Sequence, residues 1–432
     1  MSGALKRMLG GLPPLIGGAS SMTHKSLRSV TGVCVVVSVV ALGTGATASE
    51  PVFPIPEEVR WVFAADGEQD DGFGESVAVA QGVMVVGVPS EDEQGTNAGA
   101  AYVFERNQGG ADAWGQVAKL VASDAAAFAY FGCDVAIWDD IVVVGARYGG
   151  TNGAAYLFAR NAGGQDAWGQ VARLEPAVLT LDERFGHSVA IDRGVVAVGG
   201  PYHEIGGHRV GAVYVFERNQ GGADAWGQVA MVTAPSPGDL DRYGWDVAIS
   251  GEAVVVGAPL NDANGSNAGL AYVYARNQGG QDAWGLVASL HPDVPQAGEH
   301  YGESVAIDGG YAVVGAPEHG AGGSAFVHER NRGGFDVWGM VASLEVSDHT
   351  IGDHLGAAVA LVGDRVVVGA PDDDTSSGAA YVFVRNLNGP DHWEEAKKLI
   401  ATDVVANDRF GASVALADGE LVVGATGPAE GA

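Results

Sequence analysis

Four serines stand in Gly-x-Ser-x-Ala settings, at Ser76, Ser188, Ser304 and Ser413. A hydrolase nucleophile elbow of that pattern needs one strained strand-to-helix turn, with a histidine and an acid close by. The equivalent place holds Asp134, Asp246 and Ala358 in other copies of the same segment, and no helical periodicity follows. These serines therefore read as short polar groups that bond a turn. His203-Glu204-Ile205-Gly206-Gly207-His208 resembles a zinc-protease pair, but the spacing is one residue too long, and two glycines disfavour the required helix. It reads as an exposed loop. Three acidic stretches remain as chemistry: Glu91-Asp92-Glu93, Asp262-Ala263-Asn264-Gly265-Ser266-Asn267 and Asp372-Asp373-Asp374. Asp262, Asn264, Ser266, Asp372 and Asp374 are the candidate metal ligands. Two readings stand for them, calcium (or magnesium) loops and solvated turns.

The elements that must position such groups repeat down the chain. Aromatic-glycine pairs recur at Phe73-Gly74, Phe131-Gly132, Phe185-Gly186, Tyr243-Gly244, Tyr301-Gly302 and Phe410-Gly411, with Leu355-Gly356 as the one aliphatic copy. A Gly-Ala-Pro-like turn begins 14 residues after each aromatic position, at Gly87, Gly145, Gly199, Gly257, Gly315, Gly369 and Gly424. Between pair and turn lie two short apolar stretches separated by a two- or three-residue turn such as Ser250-Gly251-Glu252, the pattern of a tight hairpin. A second hairpin follows, with a tip of Arg106-Asn107, Gly109-Gly110, Asp112 and Trp114 that recurs up to Trp393. Four strands per unit, seven times, describe a seven-bladed β-propeller of four-stranded antiparallel blades. The blades begin near 73, 131, 185, 243, 301, 355 and 410. The aligned tryptophans read as packing groups, and the Gly-Gly tips as turns rather than phosphate cradles, because no helix follows them.

Successive pairs lie 58, 54, 58, 58, 54 and 55 residues apart. The interval from each turn glycine to the next strand aromatic is 15, 11, 15, 15, 11 and 12, which leaves a constant 43. All length variation thus falls in the connection between second and third strands. Insertions confined to one connection mark the binding face of a repeat protein. The expected contact loops are 90–97, 148–152, 202–209, 260–267, 318–322 and 372–376. Their candidate ligand-facing residues are Glu91, Asp92, Tyr148, Tyr202, His203, Arg209, His319 and Asp373.

Bulk properties bound the setting. The chain carries 53 acidic against 23 basic residues, a net charge of −30, which repels phosphate backbones and excludes nucleic acid as an expected partner. Residues 1–48 hold Lys6, Arg7, Lys25 and Arg28, an apolar run from Val30 to Leu42, and small residues at Ala46-Thr47-Ala48. This is the composition of a secretory signal peptide, with either Met1 or Met22 as the start and the propeller occupying 49–432. Secretion to the extracellular space or the periplasm is expected, with no membrane span after cleavage. Cys34 lies in that leader without a lipobox, so Cys133 is unpaired in the mature chain.

The aromatic-glycine and Gly-Ala-Pro spacing resembles the FG-GAP repeats of the integrin α-subunit propeller and its bacterial relatives, over roughly Trp61 to Thr426. The resemblance implies a seven-bladed ring whose second-to-third and fourth-to-first loops share the ligand face. It also implies that 58–66 form the outer strand of the last blade. Integrin-type calcium loops between the first and second strands are not carried over, since the turns here are too short to wrap a cation. The chain stops without a seventh Ala-Tyr-Val-Phe strand, and Val52-Phe53 is the expected substitute.

The function expected is a secreted, non-catalytic adhesion or recognition module that binds an extracellular protein or glycan. No cofactor is expected beyond calcium at those loops. The alternative is a propeller enzyme or carbohydrate-binding protein with its site at the central channel. Paired carboxylates at the channel mouth would favour that alternative.

Overall fold

The structure, a computed structural model, describes residues 33–38, 58–68, 70–178, 180–332, 334, 336–387, 391–401, 406–417 and 419–427. It is an all-β propeller in which six blades each consist of four consecutive antiparallel strands. Blade 1 is typical, with strands Ser76–Ala80, Val83–Val88, Ala100–Arg106 and Trp114–Leu120. Each second strand is an almost unbroken apolar run such as Val-Met-Val-Val-Gly-Val, buried from its second residue on, because neighbouring blades cover both of its faces. The fourth strand is the outermost and half-exposed, so its sequence alternates apolar with polar.

The first hairpin turns through Gln81 and Gly82, whose φ values of 50° and 77° suit the right-handed twist of the flanking strands. At the tip of the second hairpin, the Asn107 side chain accepts the Asp112 N–H at 2.9 Å, and Arg106 clasps the Asp112 carboxylate. The same bond recurs from Asn161 to Asn386. Alanine at Gly109 or Gly110 would meet nothing within 4 Å, and the positive φ values of 93° and 143° are what the turn asks of the two glycines.

The repeated pair and turn form the joint between blades. The Gly74 N–H donates to the Gly87 carbonyl at 3.2 Å, and the same bond links Gly186 to Gly199, Gly244 to Gly257, Gly302 to Gly315 and Gly356 to Gly369. This bond is why the spacing never varies. Each turn glycine in turn abuts the aromatic-glycine carbonyl of the following blade: a Cβ on Gly257 would lie 2.0 Å from the Gly302 oxygen. The serines of the Gly-x-Ser-x-Ala settings bond that same carbonyl, Ser76 to Gly132 at 2.9 Å and Ser304 to Gly356 at 2.8 Å. They are joint residues, as the absence of a helical pattern implied. In blades 1 to 5 the ring of the pair is buried against rings of the third strand, as with Phe131 against Tyr156 and Phe158.

A further four-stranded sheet contains Phe410–Ala417 and Glu420–Ala425 together with Val33–Ser38 and Glu58–Val62, the last outermost as expected. The third position, expected for Val52-Phe53, is taken by Val33–Ser38, which pairs with Glu420–Ala425 on one side and Glu58–Val62 on the other. Val52-Phe53 lie outside the described residues. The β-branched run Val-Cys-Val-Val-Val suits a central strand better than a two-residue segment five positions from Glu58. The first strands adjoin one another in chain order, and Phe410–Ala417 adjoins Ser76–Ala80, so they ring the axis. Ser413 donates to the Gly74 carbonyl at 2.8 Å across that last junction.

Candidate functional site: the variable-loop face and the channel mouth

The residue two before each aromatic-glycine pair is an acid in most repeats, and it turns inward. Asp71, Glu183, Asp241, Glu299 and Asp353 are buried. Four of them accept an N–H from the turn just before: Glu68 to Asp71, Thr180 to Glu183, Gly238 to Asp241 and Thr350 to Asp353. Opposite them stand the first residues of the variable loops. His203 lies 2.9 Å from the Tyr214 hydroxyl and 3.3 Å from Glu183. His319 lies 2.6 Å from Glu299, and Asn261 donates to Asp241 at 2.7 Å. Asp373 accepts from Tyr381 at 2.6 Å and pairs with Lys398, while Glu91 pairs with Lys119 at 2.9 Å. Glu91, His203, His319 and Asp373 thus anchor the loops to the blades.

The exposed candidates are fewer. Asp92 and Asp262 lie at the surface, but each spends a carboxylate oxygen on its own loop, on Asn97 N–H at 2.6 Å and Asn267 N–H at 2.7 Å. Asn264 and Ser266 are exposed beside Asp262. Asp372 is held by His354 at 2.7 Å and by Arg409 at 3.7 Å, and Asp374 faces Lys398 at 3.8 Å. Among the described residues no three His, Cys, Asp or Glu side chains converge in a way that would hold a metal ion. The blade-3 loop is a small hairpin of Glu204–Ile205 and His208–Arg209, so His203 and His208 are not on one helical face. His203 is buried; His208 is exposed beside Asp239.

Side chains flanking the aromatic-glycine pairs meet around the mouth of the axis, where residues roughly one repeat apart come into contact. Arg147 pairs with Glu75 at 3.5 Å and lies 5.2 Å over the Tyr130 ring. Tyr130 packs on Tyr148. Arg184 is sandwiched between Tyr148, at 5.1 Å, and Tyr202, at 4.0 Å. Arg209 covers Tyr202 from another side and reaches Asp182. The His187 ring lies 4.3 Å from Trp245, whose indole N–H donates to Glu303 at 3.1 Å and whose face carries Arg242 at 4.6 Å. His354 bridges Glu318 and Asp372, and Arg409 completes the circuit. Tyr148, Tyr202 and Arg209 were legible as loop residues. Glu75, Arg147, Arg184, His187, Arg242, Trp245, Glu303 and Arg409 were missed, although their repeat positions are the ones where neighbouring copies differ most in chemistry.

Electrostatics divide this ring. Burial pushes the Glu75 and Glu303 carboxyls up, opposed by Arg147 and Arg242 respectively. Burial, with Arg147, Arg184 and Arg242 close by, lowers the His187 imidazole to about 3, so it is neutral at ordinary pH. Below the mouth, Asp134 and Asp246 stand where other repeats have serine. The half-buried Asp246 accepts the N–H of Val247 at 2.8 Å and of Val305, in the next blade, at 2.7 Å. Burial nonetheless pushes its carboxyl up to about 7. A carboxyl whose folded value exceeds its unfolded value of about 3.9 binds its proton more tightly when folded. Its contribution to stability is therefore full below about pH 4 and lost as the pH rises through 7. Asp246→Ser, the residue used in four sister repeats, should make the fall in urea midpoint between pH 5 and pH 8 shallower. The change can reach one proton, about 1.4 kcal/mol per pH unit. Equal slopes in both proteins would remove Asp246 as the cause.

The opposite face holds a cavity of 610 Å³ lined by Gln81, Gly82, Arg106, Arg160 and Glu420. Its charges are already matched, Arg106 by Asp112 and Glu420, and Arg160 by Glu105 and Asp140.

Ring closure by first strands and joints of aromatic-glycine against Gly-Ala-Pro define a β-propeller. The chain matches the FG-GAP repeat family over residues 57–104, 114–158, 168–216, 226–274, 284–328, 338–383 and 393–432, and it belongs to that family. Among curated proteins, no relative matches it. Of solved structures, it is similar to a "putative 6-phosphogluconolactonase" from Bacteroides fragilis, at 10% identity and a TM-score of 0.54, with 87% of this chain and 97% of that one covered. A second protein so described, from Bacteroides uniformis, gives 10% identity and a TM-score of 0.52, with 86% and 97% covered. At such identity the likeness shows the fold alone.

Proposed function

We propose that the protein is a secreted, non-catalytic recognition module that binds an extracellular protein or glycan through its variable-loop face. The observation that carries this reading is the contrast within each repeat. The joint is the same in every blade, whereas the side chains on this one face differ from blade to blade. A uniform scaffold with unlike loops suits one asymmetric ligand. A second reading, a small ligand or substrate held at the channel mouth, is favoured by the cluster of Glu75, His187, Trp245 and Glu303 with its arginines.

We also propose that the sheet of Phe410–Ala417, Glu420–Ala425, Val33–Ser38 and Glu58–Val62 serves as a seventh blade. Support comes from the Ser413 bond to Gly74 and the Glu420 bond to Gly82 N–H at 3.2 Å. Val33–Ser38 falls within the expected leader, so cleavage after Ala48 and this strand are competing fates for one segment. One experiment addresses both matters. The exported protein is sequenced at its N terminus: a start at Ser49 removes Val33–Ser38 and refutes its place in the seventh blade, and a start before Val33 keeps the strand and removes the leader reading. It is then probed on an array of glycans and matrix proteins. A bound ligand should lose tenfold or more in affinity when Glu204→Lys and Arg209→Glu are combined on the blade-3 hairpin. A ligand indifferent to that pair but lost with Arg218→Glu, on the opposite hairpin tip, would place recognition elsewhere.

A further inference from the structure

The residue just before each aromatic-glycine pair adopts a left-handed backbone. Blade 1 uses Gly72 there, at φ 75°, whereas the other repeats use Tyr130, Arg184, Arg242, His300, His354 and Arg409, at φ between 53° and 58°. Large side chains disfavour this region, and strain of this kind persists where the side chain is needed. Of the three arginines among them, Arg409 pairs with Asp372, whereas Arg184 and Arg242 form no ion pair among the described residues, in a chain with net charge −30. The Arg184 Nε and the His187 Nδ1 are both buried with no hydrogen-bond partner. Arg147, Arg184 and Arg242 all lie close enough to act electrostatically on His187. The Arg184 guanidinium lies over the Tyr148 and Tyr202 rings and that of Arg242 over Trp245, contacts that hold the groups without neutralising them.

We propose that the channel mouth binds an oxyanion, a carboxylate or phosphate group of the ligand, between Arg147, Arg184 and Arg242 and beside the His187 imidazole. Guanidinium pairs match the planar fork of a carboxylate or two oxygens of a phosphate; Arg184 and Arg242 have no carboxylate partner among the described residues, while Arg147 shares its charge with Glu75. The surrounding acidic surface sharpens selection. A polyanion would be repelled beyond the mouth, whereas a single anionic group on a small or extended ligand is admitted. This inference rests on the variable-loop face being the ligand face, and it adds the chemical group that docks at its centre.

The test is titration calorimetry of the full exported protein at low ionic strength, with sodium glucuronate and inorganic phosphate as separate probes. Saturable one-to-one binding of either probe is expected, weakening as salt is added. A preference for glucuronate would indicate an acidic sugar or peptide carboxylate, and a preference for phosphate a phosphorylated ligand. Arg242→Gly, which installs the residue blade 1 already carries, and Arg184→Gln should each weaken binding at least tenfold. Arg218→Gln, on the opposite hairpin tip, should leave it unchanged. Thermal melting of each variant separates lost binding from lost fold. In addition, the His187 imidazole resonances of wild-type protein should shift on saturation with the bound probe. No heat with either probe at millimolar concentration overturns the proposal, as does unchanged binding in folded Arg242→Gly. If the array ligand binds that variant as it binds wild type, the oxyanion pocket is refuted and the broader face reading stands. If oxyanions bind and no array ligand does, the reverse holds.

Discussion

Gly257→Ala is expected to cost about 4 kcal/mol, among the largest effects a single methyl group can have on a fold of this kind. The glycine is not in a left-handed conformation, so backbone preference contributes little. The cost comes from approach: the new Cβ would lie 2.0 Å from the Gly302 carbonyl oxygen and 3.0 Å from its carbon. Both atoms are backbone of the next blade and cannot rotate away, so the joint must open. Opening it strains the Gly244 N–H bond to the Gly257 carbonyl, at 3.0 Å, together with the ring contacts around Tyr243. Gly109→Ala is the internal comparison. Its φ of 93° imposes a strain of about 1 kcal/mol, but nothing lies within 4 Å of the added carbon. Urea unfolding of the two variants checks the argument. Equal losses would show that conformational preference, not blade-to-blade approach, explains the invariance of the turn glycine.

The second large effect is expected at Phe185. The ring is 0% exposed and packs edge-on against Tyr214 at 5.4 Å and Phe216 at 5.9 Å. Phe185→Ala removes that burial and leaves a cavity between blades 2 and 3 that rigid sheets cannot collapse to fill, at a cost of about 3–5 kcal/mol. Phe185→Leu copies the natural Leu355 of another repeat, itself 1% exposed, and should cost about 1 kcal/mol. Because a propeller's blades can open separately, the measurement should combine the urea midpoint with hydrogen exchange at Val196 and Val198. Loss of protection there, with protection kept at Val367, would place the weakening in the joint. An alanine variant as stable as the leucine one would mean that the aromatic-glycine ring is not a packing anchor.

Much of the fold was legible because its determinants are local. A hydrogen bond spanning 13 residues, from Gly74 to Gly87, and a tight turn at Gln81-Gly82 tie each pair to its turn, and insertions are excluded from that frame. Four strands per unit and the tight first hairpins all follow from spacing and residue type. The candidate site was less legible. Loop length marked the connections between second and third strands, but it did not distinguish residues that tether a loop from residues that face outward. His203 has the composition of a ligand group, yet it is 3% exposed and bonded to Tyr214. The acid two places before each pair, which receives these tethers, carries no signal until the loop folds back onto it.

Two matters belonged to the tertiary structure alone. Closure around the axis brings His187 to Trp245, and Trp245 to Glu303, across 58 residues in each case, and it gathers Arg147, Arg184 and Arg242 about one imidazole. No pattern within a repeat encodes that meeting, because it depends on how each blade is rotated against the next. The third strand of the last sheet is the other. Residue type alone admitted more than one β-prone segment, and pairing with both Glu420–Ala425 and Glu58–Val62 selected Val33–Ser38. By itself the sequence determined the blade, its joint and its loop of variation, since these rest on contacts within and between identical frames. The chemistry presented at the mouth was decided only when the frames closed into a ring.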